Sequence, residues 1–340
     1  MTRPSEDELI ARYLAPLAGP GGLGLKDDAA LLVPTPGHDL VLTVDAIVEG
    51  VHFLPDDPPE TLAFKALGVN LSDLAAKGAV PAGFLMALAL PDGWTEEWLA
   101  AFCGGLGSVA QESGCPLLGG DTTRAAGPLT ISITAIGEVP SGTMVRRTTA
   151  RPGDLVCVTG TIGDAALGLS VLTGAPWAAS LAEAARANLA DRYRRPRPRL
   201  VLAEAVRAHA SAAMDVSDGL AGDFAKLLRA SGMTGTLHLD RIPLSAAAKA
   251  ALALPGPAST NRSAGAGPLL DTVVGGGDDY EILFTLPPDR LDGMTRDATA
   301  LGLPITIVGE VREGEGLPDL RLDGSPYVLT SSSFQHFRDA

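Results

Sequence analysis

Short apolar runs alternate with helix-like patterns along the whole chain, and this alternation constrains the fold more than any other feature. It predicts an α/β or mixed α+β architecture, because every sheet face and helix stripe must bury its apolar side against another element. In chain order we expect strands over 29–33, 40–45, 84–90, 129–139 and 155–159, helices over 59–77, 95–113, from Asp164 and from about Arg199, and a strand–turn–helix unit over 214–232.

Length and one segment rich in turn residues predict two domains. The chain has 340 residues, and single domains usually hold about 100–200 residues. The segment 139–154 contains Pro140, Gly142, Pro152 and Gly153, residue types that favour turns and linkers. We therefore predict an N-terminal domain over 1–149 and a C-terminal domain over 150–340, with an exposed loop over 255–267.

Charge, hydropathy and cysteine content exclude several classes of partner. The 40 acidic and 26 basic residues give a formal charge of −14, which argues against a nucleic-acid partner because the chain would repel phosphate backbones. The longest clean apolar run, 84–90, is far shorter than the ~20 residues of a membrane span. Cys103, Cys115 and Cys157 form no CxxC pair, which favours a reducing, cytoplasmic location.

Aspartates beside glycines or after apolar runs are the clearest candidates for chemistry: Asp27, Asp28, Asp45, Asp73, Asp121, Asp215, Asp218, Asp278 and Asp279. In open α/β sheets ligands gather at the carboxyl ends of strands, where several carboxylates would repel one another without a hard cation. Because Mg²⁺ keeps coordination sites for water and phosphate oxygens, such a set predicts a magnesium–nucleotide site. Taken singly, each aspartate is more often a turn or helix-cap residue.

Other polar residues have a simpler interpretation from spacing alone. Asn70, Asp73 and Lys77 form one stripe of a predicted helix, which favours a solvent-facing surface. The arginine-rich run 192–199 is typical of a solvated connector. His52 is by default a surface histidine or one with its hydrogen bonds satisfied.

Several sequence blocks carry a family resemblance when taken in order. They are Thr43-Val44-Asp45, Val48–Phe53, Lys65–Leu67, Val69–Ala76, Gly119–Arg124, Asp215–Leu220 and Gly276–Glu281. Together they closely resemble the thiamine-monophosphate kinase family, and the match runs from about Leu9 to Phe337. The blocks around His52 and Asn70 are specific to that family, whereas Gly-Gly-Asp alone is shared more widely.

The resemblance implies an activity, a fold and an assembly. The implied activity is ATP-dependent phosphorylation of thiamine monophosphate to thiamine diphosphate, by direct in-line transfer assisted by several Mg²⁺ ions. The implied fold is the two-domain architecture of the aminoimidazole-ribonucleotide-synthetase-like superfamily. In that superfamily the sheet of the N-terminal domain pairs across a homodimer.

The resemblance also assigns roles to single residues. It implies Mg²⁺ ligands at Asp28, Thr43, Val44 (by its carbonyl), Asp45, Asp73, Asp121, Asp215 and Asp218, with Asp73, Asp121 and Asp215 central to catalysis. It implies nucleotide contacts at Gly120, Asp121, Arg147 and Ser217. It implies contacts to the thiamine phosphate at His52, Asp278 and Phe334.

Some departures from the family pattern and three alternatives stay open at this point. Lys26 stands where relatives usually have glycine, and Asp278 stands where glutamate is common. The chain could be another ATP-using member of the superfamily, such as an aminoimidazole ribonucleotide synthetase, or a Mg-nucleotide-binding protein without turnover. Transfer through a phosphohistidine at His52 is a further route.

Overall fold

The computed structural model describes residues 4–254 and 268–329. By internal contacts the chain divides into two compact units, Met1–Met144 and Val145–Ala340. The predicted division after residue 149 stays a prediction, and the predicted loop over 255–267 lies outside the described residues.

The first unit is built on a four-stranded sheet. Its order is β1-β4-β2-β3, with β4 antiparallel to both of its neighbours and β2 parallel to β3. The elements in chain order are α1 (Glu6–Leu9), β1 (His38–Val48), α2 (Pro59–Ala76), β2 (Val80–Leu90), α3 (Glu96–Ser113), β3 (Leu117–Arg124) and β4 (Thr130–Pro140).

Local sequence signals fix the two long helices of this unit. Pro59 opens α2, where a missing backbone N–H costs nothing. Thr95 caps α3 by accepting a hydrogen bond from the Trp98 amide, and Gly114 ends that helix with a φ of 65°. Helix α2 packs against β1, β2 and β4, and α3 packs against α2. The sheet therefore buries one face under helices.

The other face of the same sheet exposes large apolar side chains. Leu42 and Val44 on β1 are 63% and 62% exposed, and Leu40, Val80 and Leu85 are exposed as well. Alternation along β1 explains this pattern, since Val41 and Ile47 are buried on the helix side. An apolar sheet face of this kind is typical of a surface that another protein surface covers.

The second unit contains a seven-stranded sheet of order β11-β10-β7-β9-β5-β8-β6, in which only the β7–β10 pair is parallel among the described strands. Its elements are β5 (Leu155–Thr159), α4 (Asp164–Leu172), α5 (Glu183–Arg194), α6 (Ala203–His209), β6 (Ala212–Asp215), α7 (Leu220–Ser231), β7 (Thr234–His238), α8 (Ala246–Leu252), α9 (Pro268–Gly275), β8 (Ile282–Leu286), α10 (Leu291–Ala300), β9 (Ile305–Arg312), β10 (Asp319–Leu322) and β11 (Ser325–Pro326). Val158, Phe224, Leu227 and Leu283 lie in its buried core.

The mixed α/β architecture is confirmed, and one predicted strand is wrong. Residues 29–33 form no strand, although their apolar side chains suggested one; the Leu31 amide donates to the Gly21 carbonyl instead of to a ladder. Conversely, the sequence Leu117–Arg124 forms a full strand through its glycines. None of the described helices combines the length and the hydropathy that crossing a bilayer requires.

Candidate active site

A hydroxyl and a carboxylate meet where β1 packs against α2. The Thr43 Oγ1 donates to Asp73 Oδ2 at 2.5 Å. Thr43 lies on the helix-covered side of β1 and Asp73 lies near the end of α2, so the contact joins strand to helix. Both groups supply the hard oxygen ligands that Mg²⁺ prefers.

Asn70, one helical turn before Asp73, fixes the neighbouring backbone of β1. Its Oδ1 accepts from the Asp45 amide at 3.0 Å, while its Nδ2 donates to the Ala66 carbonyl at 3.1 Å. Asn70 is fully buried. The predicted solvent-facing stripe through Asn70 and Asp73 is therefore wrong, because the stripe faces β1 and holds Asp45 in place.

The Gly120–Asp121 pair lies on the opposite edge strand, β3. Register places Asp45 opposite Ile133, Ile133 opposite Met86, and Met86 opposite Gly120. Three inter-strand spacings of about 4.8 Å separate the two edges, or roughly 14 Å. Within one copy of this sheet, Asp45 and Asp121 therefore do not coordinate the same metal ion.

These positions also correct the expectation that the aspartates sit at strand ends. Asp45 lies inside β1 and Asp121 lies inside β3, in a largely antiparallel sheet. Asp121 pairs with Ala87 on the face that the helices leave open, whereas Asp45 pairs with the buried Ile133. Asp215, at the last position of β6, is the one that fits the expectation.

Gly120 is required by a close backbone approach. A Cβ atom at this position would lie 1.8 Å from the Met86 carbonyl oxygen, and the residue has a φ of 156°. No side chain fits there without moving β3 from β2. The glycine therefore sets the position of the Asp121 backbone.

Among the residues that the structure describes, no three carboxylate, imidazole or thiol groups are already gathered as a metal site. The oxygen groups near Asp73 nevertheless fit Mg²⁺ by their chemistry. Val44 is exposed on β1 between Thr43 and Asp45. Asp28 is exposed in the segment before β1, where its amide donates to Asp27 Oδ1 at 2.8 Å.

His52 lies in the turn that follows β1. Its Nδ1 accepts a hydrogen bond from the Val48 amide at 3.1 Å, which leaves the ring proton on Nε2 in the neutral form. A cavity of about 140 Å³ lies beside this turn, lined by residues that include Glu49, Phe53, Trp94 and Trp98. His52 is not among the lining residues, although Glu49 and Phe53 of the same turn are.

In the second unit, Asp215 ends β6, and Ser217 and Asp218 lie in the loop that follows it. Asp215 is buried. The carboxylate of Asp223, on α7, accepts hydrogen bonds from the amides of Ser217 and Asp218 at 3.0 and 2.9 Å. Burial raises the pKa of Asp223, whereas Lys226 beside it acts in the opposite direction. A ligand at this loop therefore meets the side chains of Ser217 and Asp218 rather than their amide groups.

The turn before β8 pairs with the same loop through its backbone. The Asp278 amide donates to the Ser217 carbonyl and the Tyr280 amide donates to the Val216 carbonyl, both at 2.9 Å. Asp278 and Tyr280 have φ values of 69° and 52°, in the left-handed region, and the Tyr280 hydroxyl donates to Asp278 Oδ1 at 3.0 Å. Phe334, the third predicted substrate residue, lies outside the described residues.

Two buried carboxylates, those of Asp279 and Glu281, anchor the turn before β8. Asp279 accepts from the amides of Gly163 and Ala165 at the start of α4, at 2.7 and 3.4 Å, and burial raises its pKa well above the usual range. Glu281 pairs with Arg192 and Arg199. The prediction of a solvated connector over 192–199 is therefore wrong at both of its ends, where the arginines neutralise a carboxylate that is 0% exposed.

The remaining predicted nucleotide residue, Arg147, is exposed, and its carbonyl accepts from the Ser231 hydroxyl at 3.0 Å. Sequence analysis gave no role to Asp223, Lys226 or the buried side chain of Glu281. A signal for the first two was present, since an Asp and a Lys three residues apart on a helix face each other. No comparable signal marks Glu281, whose arginine partners lie 82 and 89 residues away.

Family comparisons define the class of protein that carries these features. The AIR synthase related protein N-terminal domain matches residues 26–139, and the corresponding C-terminal domain matches residues 151–318. The chain therefore belongs to the AIR synthase related proteins. HypE, a hydrogenase maturation protein, shares the fold at a TM-score of 0.73 and 20% identity.

Within that class, the chain belongs to the thiamine-monophosphate kinase family. It is 42% identical to the thiamine-monophosphate kinase of Caulobacter vibrioides over 92% of this chain and 86% of that protein. It is 39% identical to the Salmonella typhimurium enzyme over 98% of both chains. The solved thiamine-monophosphate kinase of Stenotrophomonas maltophilia matches with a TM-score of 0.77 and 38% identity, covering 89% and 91% of the two chains. A solved structure of AaThiL complexed with AMPPCP and TMP matches with a TM-score of 0.75 and 30% identity, covering 99% of both chains.

Proposed function

We propose that this chain phosphorylates thiamine monophosphate with ATP, giving thiamine diphosphate and ADP. The observation that carries the proposal is the oxygen cluster at the β1–α2 contact, where Thr43 donates to Asp73 beside the fixed backbone of Asp45. It lies in the sequence block most specific to a family whose curated members have this activity.

Three groups of residues have distinct tasks in this proposal. Asp28, Thr43, Asp45, Asp73, Asp121, Asp215, Asp218 and the Val44 carbonyl are the proposed Mg²⁺ ligands. When bound, Mg²⁺ neutralises charge on the reacting phosphates. Gly120, Asp121, Arg147 and Ser217 are the proposed nucleotide contacts, and His52, Asp278 and Phe334 the proposed contacts to thiamine phosphate.

In this reaction the main task of the protein is to hold two anions together, the γ-phosphate of ATP and the phosphate of thiamine monophosphate. A monophosphate oxygen is already a nucleophile, so direct in-line transfer needs no protein base. Two like charges about 4 Å apart repel by about 4 kcal/mol even at an effective dielectric of 20. Oxygen ligands that hold divalent cations, and arginines that meet phosphates, are therefore the parts that such a site requires.

A homodimer through the first unit is part of the proposal. Its support is the exposed apolar face that includes Leu42, Val44 and Leu85, which a second copy would cover. The separation of Asp45 from Asp121 supports it further, because a second copy can bring its own β3 edge to the β1 edge of the first. A cytoplasmic location is supported by the free thiols of all three cysteines.

One assay tests the proposed reaction. The purified chain is incubated with Mg-ATP and thiamine monophosphate, and thiamine diphosphate and ADP are quantified together. We expect the two products in equal amounts. ADP without thiamine diphosphate would show a different acceptor, and nucleotide binding without either product would show a binding protein. A protein that becomes labelled by ATP alone would support the His52 route instead.

A further inference from the structure

A fully buried carboxylate organises the loop that follows β6. Asp223 is 0% exposed, and a single oxygen, Oδ2, accepts from the amides of both Ser217 and Asp218. Two consecutive amides aimed at one oxygen fix the orientation of both peptide planes. The shape of the loop at 217–218 therefore depends on an acceptor at position 223.

Lys226 is the charge partner of this carboxylate. Its Nζ donates to Asp223 Oδ1 at 2.8 Å and also to Asp218 Oδ2. The Lys226 side chain is 32% exposed, whereas that of Asp223 is 0% exposed. Burial opposes the charge on Lys226, but its two carboxylate partners outweigh this effect and raise its pKa. Lys226 thus links the Asp223 carboxylate, which holds the loop amides, to the carboxylate of Asp218.

Helix α7 by itself does not require this arrangement. It begins after Gly219, which provides no side-chain cap and has a φ of 107°. Ser217 and Asp218 are only half-buried, so water is an alternative partner for such amides. Burying a carboxylate to hold them is expensive unless the loop shape itself matters.

We propose that Asp223 is a positioning residue that holds Ser217 and Asp218 in the geometry that receives the magnesium–nucleotide, with Lys226 as its charge partner. This inference rests on the proposed function only in assigning those two residues to the nucleotide. A displacement of about 1 Å in a positioned group can cost about a hundredfold in rate. Removing the hydrogen-bond acceptor at position 223 should therefore weaken nucleotide binding strongly while lowering the stability of the fold only slightly.

The test separates the hydrogen-bond acceptor at position 223 from the charge of Asp223. All variants of Asp223 are made in a Lys226→Met background. There, Asp223→Asn keeps a carbonyl oxygen for the two amides, whereas Asp223→Leu has a similar volume and no acceptor. Replacing a buried ion pair by apolar side chains is often neutral for folding, so D223L/K226M is expected to fold. Each full-length variant is titrated calorimetrically with AMPPCP in the presence of Mg²⁺, and its thermal unfolding is recorded.

We expect D223L/K226M to bind AMPPCP at least tenfold more weakly than D223N/K226M, with melting temperatures that differ little. Asp154→Asn is the matched control: Asp154 is also buried and accepts an amide hydrogen bond, from Arg151 at 3.0 Å, but it lies just before β5. It should lower stability without weakening AMPPCP binding.

Two kinetic constants separate positioning from general damage. The loss in D223L/K226M should appear in KM for ATP and spare KM for the phosphate acceptor. Equal AMPPCP affinities for the two double variants, or a loss in D154N as large as that in D223L/K226M, would overturn the proposal. The titration contains no phosphate acceptor. Its result therefore does not depend on whether thiamine monophosphate is the substrate.

Discussion

Arg199 donates two parallel hydrogen bonds to the buried carboxylate of Glu281, from Nε to Oε2 at 2.7 Å and from Nη2 to Oε1 at 2.5 Å. Arg192 donates to Oε1 at 3.1 Å, and the Thr159 hydroxyl donates to Oε2 at 2.7 Å. One carboxylate thus neutralises two arginines from a segment whose other arginines are half-buried at 194 and 195 and exposed at 197. The Glu281 carbonyl also accepts from the Val216 amide, so the same residue supports the loop after β6.

Glu281→Gln should destabilise the second unit by about 3–5 kcal/mol, because it leaves two buried arginines without a counter-charge. Urea unfolding followed by circular dichroism measures the loss. Asp191→Asn is the control, since Asp191 pairs with Arg195 and Arg197 in a partly exposed setting. That change should cost less than about 1 kcal/mol. Similar losses for the two variants would contradict a buried network.

Asp73→Asn should lower kcat by about a hundredfold or more while leaving the fold intact. The asparagine oxygen still accepts from Thr43, but the variant lacks the negative charge that a divalent cation requires. Steady-state production of thiamine diphosphate gives the rate, and circular dichroism checks the fold. Asp39→Asn, on β1 with Thr43 but bonded to Ser141 and Gly142, should keep its rate. Near-normal turnover of D73N would remove Asp73 from the metal site.

Gly120→Ala should abolish activity and reduce stability, because the added methyl group would lie 1.8 Å from the Met86 carbonyl oxygen. Strand β3 must then move, and Asp121 moves with it. Gly127→Ala is the control, since a Cβ atom there meets nothing within 4 Å. The rate of thiamine diphosphate formation and the melting temperature are measured for both variants and compared with those of the wild type. A fully active G120A protein would show that the approach of β3 to β2 is not needed.

Leu42→Lys should convert a homodimer into a monomer. The substitution places a charge on the exposed apolar face of the first sheet, where burial against a second copy would be costly. Light scattering after size-exclusion chromatography measures the mass, with the wild type expected as a dimer. Leu317→Lys, at a position that is 83% exposed in the second unit, should leave the mass unchanged. A monomeric wild type would refute the dimer itself.

The cysteine thiols should resist alkylation in the native protein. Burial raises the pKa of Cys103, Cys115 and Cys157 to about 12. Because the thiolate is the reactive form, only about one thiol in ten thousand is ionised at pH 8. Iodoacetamide followed by mass spectrometry should find no modification below pH 9 in native protein and three modified sites in guanidinium. Rapid native labelling at pH 8 would mean that a thiol is accessible and ionised.

Elements fixed by local signals were predictable from the sequence. Strand β5 was predicted with its observed bounds, and α3 was predicted with Thr95 and Gly114 at its ends, because capping residues act within one helical turn. The segment 29–33 has strand-like side chains, but a strand also needs a partner edge. That requirement depends on the rest of the chain, so the segment alone could not reveal its absence.

The parts of the site that escaped prediction depend on distant partners. The residue types of Asp45 and Asp121 pointed to a metal site, but their positions on opposite edges of one sheet follow only from strand order. The burial of Asn70 follows from the packing of α2 against β1. Arg199 was predicted as solvated because its neighbours in sequence are charged, whereas its counter-ion lies 82 residues further along.

The backbone pairing between the loop after β6 and the turn before β8 has a consequence for redesign. Asp278 is joined to Ser217, and Tyr280 to Val216, by main-chain hydrogen bonds that no side-chain replacement removes. A side-chain replacement at Asp278 therefore leaves its main-chain bond to Ser217 in place. Redesign of the backbone in either segment has to preserve the peptide geometry of the other, because each supplies the other's hydrogen-bond partners.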